Sequence, residues 1–173
     1  MLHKIFSGAL LLTLFFIAQA NAQPNSTTIT PSLEIVQPIT ITKNTDKDLL
    51  FGKFAAYVDA TGTVVLGTDG QRSKTGDITL LDTEPFGAAE FTVEGLPNAT
   101  FSLQLPTTAT LTNTLPNSND EMEVSAFLTN ISGTPTIGAQ GSLTFNVGAT
   151  LTKSSLAGRG IYTGTFSITV SYL

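Results

Sequence analysis

The stretch Gly160–Leu173 constrains the fold more than any other. From Tyr162 onward its residue types alternate. Tyr162, Gly164, Phe166, Ile168, Val170 and Tyr172 fall on one side, and Thr163, Thr165, Ser167, Thr169 and Ser171 on the other. Successive side chains of a strand point to opposite faces, so this pattern reads as a strand with one dry and one wet face. Covering Phe166, Ile168 and Val170 stabilises a fold by about 1.5–3 kcal/mol each. A slip of one residue would drive five hydroxyls into the core, so the register is strongly specified. Two roles fit such a strand. It closes a sandwich, or it is also recognised by another protein.

The same alternation recurs along the chain. Ile29, Pro31, Leu33, Ile35, Ile39 and Ile41 share one parity, and the residues between them are mostly Thr, Ser and Glu. Val36 and Gln37 break the phase, and Pro38 has no N–H for a ladder, so two short strands or one kinked edge strand are expected. Leu49–Phe54 is a short apolar run broken by Gly52, as at a bulge. Strands are predicted at Thr63–Leu66, Ile78–Leu81, Ala89–Gly95 and Phe101–Leu105, the last two joined by a hairpin-like turn at Leu96-Pro97-Asn98. Gly67–Asp77 reads as a long polar connection and Leu111–Asp120 as a Pro-interrupted one. Met122–Leu128 alternates, with Phe127 out of phase on the nominally wet face, and Leu143–Leu151 alternates without a break. After Ala22 no helical period survives over about ten residues. The expectation is an all-β, immunoglobulin-like sandwich of about seven to nine strands.

The beginning of the chain has the form of a secretory signal. His3 and Lys4 precede the apolar run Ala9–Ala18, and Ala20-Asn21-Ala22 fits an A-x-A cleavage site, so residues 1–22 are expected to be removed. The run is short for a bilayer span, and nothing later is apolar enough to insert. Residues 23–32 then form a flexible extension or donor strand, and 33–173 the sandwich. Roughly 150 residues suit one domain with a real core. Loss of Lys4 takes the formal charge from −5 to −6, which opposes nucleic acid and anionic membrane as partners. Export without a single cysteine leaves the fold to its core, with no disulfide. The periplasm, the cell surface or the exterior is the expected location.

Much chemistry is excluded. The one histidine leaves with the signal and there is no cysteine, so a Ser-His-Asp triad, a Cys nucleophile and an ordinary zinc site cannot be built. Lys74-Thr75-Gly76 matches one motif of penicillin-recognising serine enzymes, but the obligatory S-x-x-K is missing and the motif reads as a turn. Asn117, Asn119 and Glu121 have the first spacings of a calcium loop, yet Met122 stands where that loop needs glycine. No pair of carboxylates is fixed by a pattern that points to glycoside hydrolysis. No cofactor and no enzymatic activity are expected.

The strands in their order resemble a family of secreted bacterial proteins known as domain of unknown function 4402. The matching stretches are Leu50-Phe51-Gly52, the turn from Asp69 to Gly76, Ala89–Gly95, Phe101–Pro106, Met122–Phe127, Val147–Leu151 and Gly160–Tyr172. That resemblance implies compartment and fold rather than an activity. The two ends also resemble a chaperone–usher pilus subunit, with Tyr172 and Gly160 in the places of that family's penultimate Tyr and preceding Gly. A pilin-like resemblance implies strand exchange, in which the N-terminal extension of one copy adds a strand to the next. The strand-exchange residues it implies are Ile29, Leu33 and Ile35, which supply the anchors of the extension, with Tyr162, Phe166, Ile168, Val170 and Tyr172 in the final strand. It implies copies of the same chain and a periplasmic chaperone as partners. The competing expectation is an autonomous secreted adhesion module that binds through its polar loops.

Overall fold

The computed structural model describes residues 25–173, and the expected signal peptide lies outside them. Residues 25–34 contain no strand. One compact unit runs from Ile35 to Leu173. Among the described residues there is no helix. The strands are β1 (Thr40–Lys43), β2 (Lys53–Ala56), β3 (Gly62–Leu66), β4 (Arg72–Gly76), β5 (Ile78–Leu81) and β6 (Ala89–Glu94), then β7 (Phe101–Gln104), β8 (Thr108–Asn113), β9 (Glu121–Thr129), β10 (Ser142–Lys153), β11 (Tyr162–Thr163) and β12 (Thr169–Tyr172).

Every ladder is antiparallel. The main sheet runs β1-β6-β10-β9-β8-β11, with β3 also on β10 and β4 outside β3. Its organising strand is β10, twelve residues long. β6 pairs with its first half, Ser142–Val147, and β3 with its second, Ala149–Lys153. β9 occupies the other edge from Val147 to Thr152. The second layer is split into two pairs, β2–β5 and β7–β12. Phe54, Ile78 and Leu80 from β2–β5 pack with Val64, Leu66, Val124 and Leu151. Phe101, Leu103, Val170 and Tyr172 from β7–β12 pack with Val93, Phe145 and Val147. The result is a β-sandwich in which one long strand runs beneath both halves of the opposing layer.

The expected strand positions hold at β3, β5, β6, β7, β9 and β10. Among the described residues twelve strands replace the expected seven to nine, because several expected units are broken and two expected loops contain strands. Gly67–Asp77 is no long connection. Residues 67–71 close a tight turn, with the Gly67 N–H on the Gln71 carbonyl at 2.9 Å and the Gln71 N–H on the Asp69 carboxylate at 3.0 Å, and Arg72–Gly76 returns as β4. Polar Ser73, Lys74 and Thr75 hid this strand, which lies at a sheet edge and needs no apolar face. Leu111–Asn113 likewise belongs to β8. The turn at Leu96–Asn98 is not a hairpin, because β6 spends its two edges on β1 and β10 while β7 pairs with β12. Of the alternation from Ile29 to Ile41, only Thr40–Lys43 becomes a strand.

Phe127 explains its own phase error. Leu128 pairs with Gly148 and Ser125 with Thr150, so Ala126 and Phe127 together stand opposite Ala149. Such a bulge adds one residue to one strand and reverses the parity beyond it. Ala126 takes φ of 49°, Phe127 turns inward and touches both halves of the core, and Leu128 turns to solvent.

Candidate functional site

The two chain ends carry the expected exchange residues. Ile29, Leu33 and Ile35 are 81%, 87% and 88% exposed, and none belongs to a strand. The C-terminal stretch keeps the expected parity throughout. Tyr162, Phe166, Ile168, Val170 and Tyr172 are all half-buried, and the hydroxyl residues between them are exposed. It is not one strand, however. Tyr162 and Thr163 pair with Asn113 and Thr112 on β8, in the main sheet. Thr169–Tyr172 pairs with β7, in the opposite layer. Between them residues 164–168 leave one layer and join the other. Among the described residues, the backbone of Thr165–Ser167 has no hydrogen-bond partner. A backbone stretch with unpaired polar groups is open to a further strand on its free side; the other side lies toward β8, where a Cβ on Gly164 would overlap the Thr110 carbonyl. Phe166 lies in this stretch, its ring 5.0 Å from that of Phe127 and tilted against it.

Both ends of the crossing segment are anchored. The Tyr172 hydroxyl donates to the Gln37 carbonyl at 3.0 Å and accepts the Leu96 N–H at 2.7 Å. Gly95 allows this approach, since a Cβ there would overlap the hydroxyl. At the other end the Tyr162 hydroxyl donates to the Gly158 carbonyl at 2.8 Å. Burial, reinforced by the charge of Asp120, raises the Tyr162 phenol above its ordinary 10.0. Asn113, itself buried, donates to the Arg159 carbonyl at 3.1 Å, and the Asp120 carboxylate accepts the Gly158 N–H at 3.1 Å. Gly160 packs on the Asn113 carboxamide with no room for a Cβ. The sequence motif around Gly160 therefore marks where the segment leaves its anchor.

Two further residues, Arg72 and Lys153, organise the domain. The Arg72 side chain is 2% exposed. It donates to the carbonyls of Phe51 at 2.8 Å, Lys53 at 3.3 Å and Leu81 at 3.0 Å, and its guanidinium lies 3.9 Å over the Phe86 ring. β4 is thereby riveted to the β2–β5 pair. Its contact with Asp82 at 2.8 Å adds little, because that carboxylate is 83% exposed. The Arg72 Nε is buried without a partner. Lys153 is the second. Parity on β10 points it inward after Phe145, Val147, Ala149 and Leu151, and that parity is the signal that could have found it. Its ammonium meets the carbonyls of Val58, Ala60 and Ser154 at 3.1, 2.9 and 2.9 Å.

Of the remaining sequence candidates, the Asn117–Glu121 stretch adjoins the C-terminal anchor through Asp120, while Lys74–Gly76 lies on the far edge of the main sheet. Lys74 and Thr75 lie on β4, and Gly76 closes its turn to β5 with φ of 73°. Asn117 sits in the β8–β9 connection with φ of 63°, and Glu121 opens β9. Among the described residues no three His, Cys, Asp or Glu side chains are grouped to hold a metal ion.

The family model described as Domain of unknown function (DUF4402) matches residues 39–172. The chain belongs to that family. The match begins at Ile39, just ahead of β1, and covers all twelve strands and the crossing segment. No curated protein and no solved structure matches the chain.

Proposed function

We propose that this DUF4402 protein is a secreted structural subunit of a cell-surface, pilin-like assembly, joined copy to copy by strand exchange. The observation that carries the reading is the crossing segment. Its backbone is unpaired at Thr165–Ser167, and Phe166 and Ile168 are not fully buried. The exposed, alternating Ile29, Leu33 and Ile35 belong to a segment of suitable chemistry to add as a strand along it in a second copy. Each such side chain contributes about 1.5–3 kcal/mol when covered, before the cost of ordering the extension. A periplasmic chaperone is the partner that this reading requires before assembly, because an open apolar edge aggregates.

Deletion of Gln23–Val36 tests it. The full chain is expected to form oligomers on sizing, and the truncated chain to remain folded and monomeric with a nearly unchanged melting temperature. A truncated chain that loses its fold would assign the extension to the domain itself. A full chain that stays monomeric at high concentration would remove the assembly reading.

A further inference from the structure

The β2–β3 connection builds a second feature, on strands that the exchange reading does not use. Tyr57 follows β2 directly and is 87% exposed. Its loop is braced from below. The buried Lys153 ammonium holds the carbonyls of Val58 and Ala60, and the Ala60 N–H bonds the Tyr57 carbonyl at 3.1 Å. Ala60 itself is buried. A large aromatic is therefore presented to solvent on a fixed backbone.

Beside it lies an open groove of about 660 Å³, bordered by Tyr57, Asp59, Lys74, Asp77 and Thr79. Ala56 pairs with Ile78, which places Tyr57 next to Asp77 where the β2–β5 ladder ends. The Asp77 N–H bonds the Thr61 carbonyl at 3.1 Å, so that corner is also fixed. Among the described residues, the side chains of Asp59, Lys74, Asp77 and Thr79 make no hydrogen bond or ion pair. The groove thus combines one aromatic face with two carboxylate acceptors, one ammonium donor and one hydroxyl, all unspent.

We propose that this groove binds an uncharged pyranose of a glycan, with Tyr57 stacked on its C–H face and Asp59, Asp77 and Lys74 bonded to its hydroxyls. An apolar ligand would strip water from the charged groups and return nothing. An anionic ligand would meet two carboxylates against a single ammonium. An uncharged sugar presents an apolar face to the ring, donors to the carboxylates and acceptors to the ammonium. Tyrosine suits such a contact because it offers a rigid apolar body with a polar tip. Charge-assisted hydrogen bonds of hydroxyls to carboxylates are the strong kind.

The test is binding of the full chain to an array of neutral and sialylated oligosaccharides, followed by calorimetric titration with the best neutral one. Expected is retention of neutral glycans in preference to sialylated ones. Tyr57→Ala should weaken binding by roughly tenfold or more, Asp77→Asn should weaken it too, and Tyr57→Trp should retain it. The melting temperature should not change in any of the three, because these side chains lie at the surface. Failure of every neutral glycan to bind, or unchanged affinity in Tyr57→Ala, overturns the proposal. So does tighter binding of an oligolysine peptide than of any sugar, since an aromatic beside two carboxylates would then be a site for cations.

Discussion

β10 and the C-terminal segment carry the same alternating pattern and end in different states. On β10 the inward residues Phe145, Val147 and Ala149 are fully buried. On the C-terminal segment the inward residues Phe166, Ile168, Val170 and Tyr172 are only half-buried. The chemistry of the side chains does not separate them, since Phe and Val stand on both. The neighbours do. β10 has β9 on one edge and β6 and then β3 on the other. The C-terminal segment leaves its partner β8 after Thr163 and gains β7 only at Thr169. Alternation therefore assigns a face, while coverage depends on how many edges are paired.

The largest expected effect contrasts the two directly. Phe145→Ala should destabilise by about 3–5 kcal/mol in denaturant unfolding, as a cavity opens in a sealed core. Phe166→Ala in a monomeric sample should cost less, about 1–2 kcal/mol, because part of its surface is already in water. Equal losses would mean that the crossing segment is as closed as β10.

Lys153→Met comes next. It leaves the carbonyls of Val58, Ala60 and Ser154 without their shared donor, at an expected cost of about 2–3 kcal/mol. The loss should be accompanied by faster amide exchange in residues 57–61, the loop it braces. A stable variant with an unchanged exchange pattern would show that the ammonium holds nothing in place.

The smallest effect concerns the bulge. Ala126 adopts a left-handed backbone that costs a non-glycine residue about 1–2 kcal/mol. Ala126→Gly relieves that strain but frees the unfolded chain by a similar amount, so the change in stability should stay within about 0.5–1 kcal/mol of zero. Ala126→Val should destabilise clearly, because a branched side chain tolerates positive φ poorly. If valine is accepted without loss, the bulge is absent and the phase of Phe127 needs another cause.

Alternation, composition and turn residues were enough to place β3, β5, β6, β7, β9 and β10 and their inward faces, and the lack of cysteine to exclude Cys chemistry. They act locally, within the reach of a few residues, and so they survive in a linear reading. The half-buried parity of Tyr162 through Tyr172 was legible in this way, residue by residue. Three features were not. The polar edge strand β4 has no apolar face to announce it. The split of the C-terminal stretch between two layers depends on where β8 ends and β7 begins. The bulge at Ala126 showed only as a misplaced Phe127. The partners of Arg72 and Lys153 were not legible either, since they are backbone carbonyls, and a backbone carbonyl looks alike at every position of a sequence. Which strand lies beside which is settled by the competition of whole edges for partners and of apolar faces for cover, and that competition takes place only in the folded chain.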